Sequence, residues 1–248
     1  MKAILFPGQG SQVVGMGSDL YKNFKHVREI FSEADEVLKF KLSKIILDGP
    51  NEDLKLPQNT HPAIMLVSYS IFSTIKKNYN FDYKDYRFFT GHSLGEYSSL
   101  VCSEVLTFKD ALFLLYERGK AMQEAVPVGK GAMLAVLGCE ISEVKQFLDE
   151  LKENGVCQIA NDNAPGQIIV SGNTSKINEL HKILKSQKKK AIPLPVSAPF
   201  HCDLMKIAAD KMRDKILSTN FNNSLVPLVS NVTANEEKIE NIQKLLID

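Results

Sequence analysis

Apolar and polar positions along this chain change period several times, and each change marks a candidate element. Lys2 to Phe6 ("KAILF") is a short apolar run closed by a Pro-Gly-Gln-Gly turn, which predicts a buried strand. Ile64, Val67, Ile71 and Ile75 then recur at helical spacing, with Thr60 placed to cap the N-terminus of that helix. "YRFFT" (86–90) reads as a strand, "GHSLG" (91–95) as a turn and "EYSSLVCSEVL" (96–106) as a helix. Thr107 and Asp110 stand at capping-box spacing and predict a further helix from Phe108 to Val126.

Beyond residue 128 the order changes. "AMLAVLG" (132–138) is a strand, "SEVKQFLDELKENG" (142–155) a helix with a glycine stop, and "VCQIA" and "QIIVSG" a strand pair around "NDNAPG" (161–166). "TSKINELHKILKSQ" (174–187) is a second helix and "KAIPLPV" (190–196) a last strand. This β-α-β-β-α-β order predicts a ferredoxin-like subdomain over residues 129–196, inserted into a larger α/β domain built from 1–128 and 197–248. The host resumes with a helix at 203–217, a strand at 226–232 and a short helical segment at 236–248. Strands separated by helices predict a mostly parallel host sheet.

Composition narrows the function classes. With 248 residues, 24% of them charged, and a net charge of +1, the chain lacks the excess of Lys and Arg that a general nucleic-acid binder needs. No apolar run is long enough for a signal peptide's core or a membrane span. The cysteines Cys102, Cys139, Cys157 and Cys202 are scattered, without C-x-x-C spacing, and read as reduced thiols rather than a disulfide framework or zinc site. A soluble, cytoplasmic protein is expected.

The chemistry centres on Gly91-His92-Ser93-Leu94-Gly95, which fits G-x-S-x-G in a strand-turn-helix context. Such a turn can hold the Ser93 hydroxyl at its tip, with the Leu94 N–H beside it as a donor for an oxyanion. The bland alternative is a glycine-pinned turn with a capping serine. A serine nucleophile needs a base. His92 is adjacent and buttresses the turn, His26 and His181 sit among charges, and His61 precedes Pro62 at a helix start. His201, past a strand and before a helix, lies on the edge where α/β sheets carry their sites, and is the preferred base. Glu96, in the first turn of the following helix, suits the positive end of its dipole. Arg118 falls on the apolar stripe of its helix (Ala111, Leu114, Leu115, Met122, Ala125), so it requires an anionic partner. That partner is either a nearby Asp or Glu, in a structural salt bridge, or a substrate carboxylate. "FPGQGSQ" lacks both nucleotide-binding spacings, although such a turn can offer a backbone N–H to an oxyanion.

Together "FPGQGSQ", "GHSLGEYSSL", "RGKAMQEAVP", "GKGAMLAVLG", "IANDNAPGQIIVSG" and "PVSAPFHCDLM" resemble the malonyl-CoA:acyl carrier protein transacylases of fatty-acid biosynthesis, over about residues 4 to 205. The resemblance implies an α/β-hydrolase-like domain carrying a ferredoxin-like insert. It implies ping-pong transfer in which Ser93 is the nucleophile and His201 the base. Gln9 and Leu94 would supply the oxyanion-hole N–H groups, and Arg118 would hold the malonyl carboxylate. Asn161 and Asn163 match asparagines near the family's cleft. Malonyl-CoA and acyl carrier protein are the implied partners, with no metal or cofactor, no nucleic acid and no membrane, and a monomer is expected. His61 stands where a glutamine is common. Family members also run further at the C-terminus, through the glutamine whose carbonyl orients the histidine, so a C-terminally short, weakly active or silent carrier-protein-binding member is one alternative. Others are an acyltransferase module of a larger synthase, of whose malonyl-selecting members Phe200 is reminiscent, and a plain serine esterase. The basic run Lys185 to Lys190 reads as a solvated surface before a carrier-protein contact.

Overall fold

The computed structural model of the chain describes residues 2–151, 154–196 and 198–248. Two compact units are present: Met1–Lys120 with Lys211–Asp248, and Ala121–Asp210.

The chain opens with β1 (Lys2–Phe6), α1 (Ser18–Asn23), α2 (Lys25–Leu38), α3 (Leu42–Asp48), α4 (Asn51–Leu54) and α5 (Pro57–Asn78). It continues through β2 (Tyr86–Gly91), α6 (Gly95–Cys102) and α7 (Phe108–Ala125). Next come β3 (Gly131–Leu137), α8 (Ile141–Asp149), β4 (Cys157–Ala164), β5 (Gln167–Asn173), α9 (Thr174–Ser186) and β6 (Lys190–Pro193). The last elements are α10 (Lys206–Leu217), β7 (Leu228–Val229), β8 (Glu236–Glu237) and α11 (Ile239–Leu245).

In the first unit the sheet order is β1-β2-β7-β8. β2 runs parallel to both β1 and β7, and β8 returns antiparallel beside β7. The ring of Phe89, fully buried on β2, meets Phe6 and Phe72 edge-on at centroid distances of 6.0 and 5.8 Å. Those rings fasten β1 and α5 to the strand that leads into the Ser93 turn. Helix α5 starts earlier than its sequence pattern suggests. Pro57 takes the first helical position, where a missing N–H costs nothing, and Thr60 lies one turn inside. The Thr60 hydroxyl donates to the Leu54 carbonyl at the end of α4, at 2.5 Å, and does not cap α5. Pro62 removes one helical hydrogen bond, and burial of nearly every side chain from Pro57 to Ser68 outweighs that loss.

In the second unit four antiparallel strands lie in the order β4-β5-β3-β6. Alternate residues Leu134, Val136, Ile168 and Val170 point to one face. There they pack with Val144 and Phe147 of α8 and with Ile177, Leu180 and Leu184 of α9.

Several elements differ from their sequence patterns for local reasons. α6 stops at Cys102, because Glu104 adopts a left-handed φ of 69° and Val105 N–H turns back to the Leu100 carbonyl. Asn161 to Asn163, read as turn, belong to β4, whose register with β5 is irregular there, and Pro165-Gly166 makes the turn. β6 ends at Pro193, since prolines 193 and 195 cannot donate to a ladder. The strand expected at 226–232 shrinks to Leu228–Val229, and 236–248 splits into β8 and α11. α8 ends at Asp149, and the part of its expected extent at Lys152 and Glu153 lies outside the described residues, as does Ser197 of "PVSAPFHCDLM". No helix among the described residues is long and apolar enough to cross a membrane.

Leu180, with no exposed surface, sits at the centre of the second unit's core. Leu180→Ala is expected to cost about 2–5 kcal/mol, measured as a shift in the urea unfolding transition.

Candidate active site

The turn after β2 is as tight as its two glycines allow. A β-carbon on Gly91 would overlap the Gly95 carbonyl, and one on Gly95 would overlap the carbonyls of Phe6 and Pro7. The segment after β1 therefore rests on the turn, and His92 N–H donates to the Phe6 carbonyl at 3.0 Å. Gly95 N–H closes the turn on the His92 carbonyl at 2.9 Å. Between the glycines, Ser93 takes a left-handed φ of 52°, the strained strand-to-helix elbow that G-x-S-x-G implies. Its side chain is half-buried, whereas His92 is exposed. Among the described residues neither the Leu94 nor the Gln9 backbone N–H donates a hydrogen bond, and Leu94 is fully buried.

Arg118 reaches this turn from α7. Its Nη2 donates to Ser93 Oγ at 3.3 Å and its Nη1 lies 3.5 Å from His61 Nδ1. Gly119, the next residue, lets α7 touch the backbone at Pro57 and Gln58, where a β-carbon would not fit. That close approach brings Arg118 to His61 on α5. A guanidinium can only donate, so in this contact His61 Nδ1 is the acceptor, and the tautomer that fits it has the proton on Nε2, 3.2 Å from Gln9 Oε1. Gln9, His61, Arg118 and Ser93 thus form one hydrogen-bonded chain. Burial lowers the Arg118 pKa from its ordinary value, with Tyr97 and Glu96 acting in the opposite direction. Among the described residues no carboxylate is paired with this cation. The structural salt bridge left open by the sequence is not present among the described residues.

Glu96 behaves differently from its position in the chain. A carboxylate in the first turn of a helix is favoured by the helix dipole. Here burial outweighs that and raises its pKa, against hydrogen bonds from Asn231 and the charge of Arg118. Asn231 was not visible as a site residue in the sequence. It follows β7, and its Oδ1 accepts the Ser93 N–H at 2.9 Å while its Nδ2 donates to the Gly91 carbonyl at 2.7 Å. The only sequence signal was a polar residue just past a strand end.

His201, Asn161 and Asn163 belong to the second unit, and Ser93, Leu94, Gln9 and Arg118 to the first. His201 has a left-handed φ of 58° and is followed by a 3-10 turn, Asp203–Met205, that leads into α10. Its loop is tied to β4 by a two-way contact. Gln158 Nε2 donates to Asp203 Oδ2 at 2.7 Å, and Asp203 N–H donates to Gln158 Oε1 at 2.8 Å. Asn161 lies on β4 opposite Ile169. Among the described residues no cluster of His, Cys, Asp and Glu side chains could hold a metal ion.

A serine on a strained elbow, beside a guanidinium with no ion-paired carboxylate among the described residues, has the geometry of a candidate nucleophile. Residues 4–245 match the acyl transferase domain family, and the chain belongs to it. It is 42% identical over 248 residues to the malonyl CoA-acyl carrier protein transacylase of Bacillus subtilis (strain 168), an alignment covering 98% of this chain and 77% of that one. The crystal structure of an acyl-carrier-protein-S-malonyltransferase from Bartonella henselae superposes with a TM-score of 0.95 at 41% identity, covering all of this chain and 80% of that one. A malonyl-transacylase in complex with its type II polyketide acyl-carrier protein superposes at 0.94 with 37% identity, covering 99% of this chain and 79% of that one.

The raised Glu96 pKa gives a signed expectation. The folded chain holds this proton more tightly than the unfolded chain, so its contribution to stability is full below the ordinary glutamate range and is lost as pH rises through the raised value. Glu96→Gln, which cannot ionise, should gain stability relative to the parent as pH rises through that window. Urea unfolding of both proteins across pH checks this, and a constant difference would contradict it.

Proposed function

We propose that the chain transfers a malonyl group from malonyl-CoA to the phosphopantetheine thiol of acyl carrier protein, through a malonyl ester on Ser93, in fatty-acid synthesis. Ser93 Oγ attacks the thioester carbonyl as His201 takes its proton. The carbonyl oxygen becomes an oxyanion held by the N–H groups of Gln9 and Leu94. Collapse breaks the carbon–sulfur bond, and CoA leaves with the proton returned by His201. The carrier-protein thiol then gives its proton to His201 and attacks the ester, and Ser93 is regenerated. No metal or redox group takes part.

The observation that carries this reading is Arg118. A cation held 3.3 Å from Ser93 Oγ, without a carboxylate partner among the described residues, matches an acyl group that ends in a carboxylate. The unpartnered N–H groups of Leu94 and Gln9 support their role as oxyanion donors. The names of the relatives agree in substrate and acceptor.

In the same reading the first unit is α/β-hydrolase-like, supported by its parallel β1-β2-β7 pairing and its serine elbow. The second is a ferredoxin-like insert, supported by the order β3-α8-β4-β5-α9-β6 and the sheet order β4-β5-β3-β6. The four free cysteines fit a reducing, cytoplasmic setting.

Incubation with malonyl-CoA should add one malonyl group to the intact protein, and Ser93→Ala should carry none. A folded parent without an adduct and without release of free CoA would refute the reaction. Arg118→Ala should slow malonyl transfer by about 100-fold while changing acetyl transfer far less. Equal losses for both acyl groups would remove Arg118 as the carboxylate clamp.

A further inference from the structure

We propose that Asn231 is a positioning residue for the nucleophile: both ends of its side-chain amide hold the backbone on either side of His92, where the chain enters the Ser93 elbow, and Glu96 sets the orientation of that amide. The inference rests on the reading of Ser93 as the nucleophile.

A serine in the left-handed region is retained only where its surroundings over-determine it. Here the determinants come from a segment 138 residues away in sequence. Asn231 Oδ1 accepts the Ser93 N–H at 2.9 Å, and Nδ2 donates to the Gly91 carbonyl at 2.7 Å. These two groups belong to the consecutive peptide units on either side of His92, which carry the chain from β2 into the elbow at Ser93. The amide could in principle face the other way. Glu96 prevents it, because its Oε2 accepts from both Nδ2 and the backbone N–H of Asn231, the latter at 3.2 Å. A flipped amide would set Oδ1 against the Glu96 carboxylate and the Gly91 carbonyl, and Nδ2 against the Ser93 N–H. Each of those contacts is repulsive, so a single orientation is selected. Glu96 itself is only 6% exposed and sits on α6, two residues past the elbow's second turn position.

Two consequences follow for the site. The Ser93 N–H is already occupied, so it is not an oxyanion donor, and that task stays with Leu94 and Gln9. The turn is also held from three directions, by the end of β2, the start of α6 and the segment after β7. The last of these is secured independently where Thr90 Oγ1 donates to the Val229 carbonyl at 3.1 Å.

The test uses two chemistries at Ser93, each followed by intact mass. One is acylation by malonyl-CoA. The other is phosphonylation by a fluorophosphonate, in which Ser93 Oγ forms a bond to phosphorus, fluoride leaves, and the hydroxyl proton passes to the base. Asn231→Ala should slow both by about 100-fold, the scale of loss when a reacting group is slightly misplaced, with little change in half-saturating malonyl-CoA. Asn231→Asp sets a second carboxylate against Glu96 and should be at least as slow. Combining it with Glu96→Gln restores a donor-to-acceptor pair and should recover a large part of the lost rate. A residue that only stabilised the fold would not show that exchange, which decides the matter even where Asn231→Ala does not fold.

Asn231→Ala at parent rates with both reagents overturns the proposal, as does a double variant no faster than a folded Asn231→Asp. A parent that takes the fluorophosphonate but not malonyl-CoA removes the substrate reading, and the phosphonylation rates still decide the role of Asn231. A folded parent whose Ser93 reacts with neither reagent removes both.

Discussion

At Gly95 the first turn of α6 rests on the carbonyls of Phe6 and Pro7, so closely that a β-carbon would overlap both. The geometry of the site depends on that backbone contact. It brings the segment after β1, with Gln9, to the elbow of Ser93. It also starts α6 at the point where the N–H of Leu94 is left without an acceptor among the described residues. The aromatic packing of Phe6, Phe72 and Phe89 holds the same strands from below, so the elbow is set on a rigid base. Strain at Ser93 is thereby opposed by contacts formed far along the chain.

Two charged groups near the elbow have opposite fates. Glu96 is buried against Asn231, and the loss of water raises its pKa despite the hydrogen bonds it accepts. Arg118 keeps its charge without a paired carboxylate among the described residues, held through His61 and Ser93. One carboxylate is spent on backbone geometry, and the nearby cation has no ion-paired carboxylate among the described residues, although Glu96 acts on it at longer range. This electrostatic asymmetry gives the proposed preference for a malonyl group a physical basis.

Much of the architecture was legible because it rests on periodicity. The strands and helices of the second unit were read as segments in the right order, and in the structure Leu134, Val136, Ile168, Val170, Ile177, Leu180 and Leu184 of those segments form its core. The G-x-S-x-G turn was legible because only glycine tolerates such close backbone contact. Errors fell at element ends. Thr60 looked like a cap and lies inside α5, because burial carried the helix back to Pro57. Asn161 to Asn163 looked like a turn and joined β4, because pairing with β5 outweighed their turn preference.

By itself the sequence determined the strand-turn-helix presentation of Ser93, the cation on an otherwise apolar stripe of α7 and the order of elements in the second unit, whereas α1 to α4 and β8 of the first unit were not read from it. These follow from steric limits and from the period of the apolar positions, which are local properties of the chain. Only the tertiary structure decided that Arg118 lacks a carboxylate partner among the described residues, that His61 stands between Arg118 and Gln9, and that Asn231 closes on Ser93. Each of these depends on groups dozens to more than a hundred positions apart meeting within about 3.5 Å, the outer reach of a hydrogen bond. No local pattern encodes such a meeting, because it is set by the packing of whole elements.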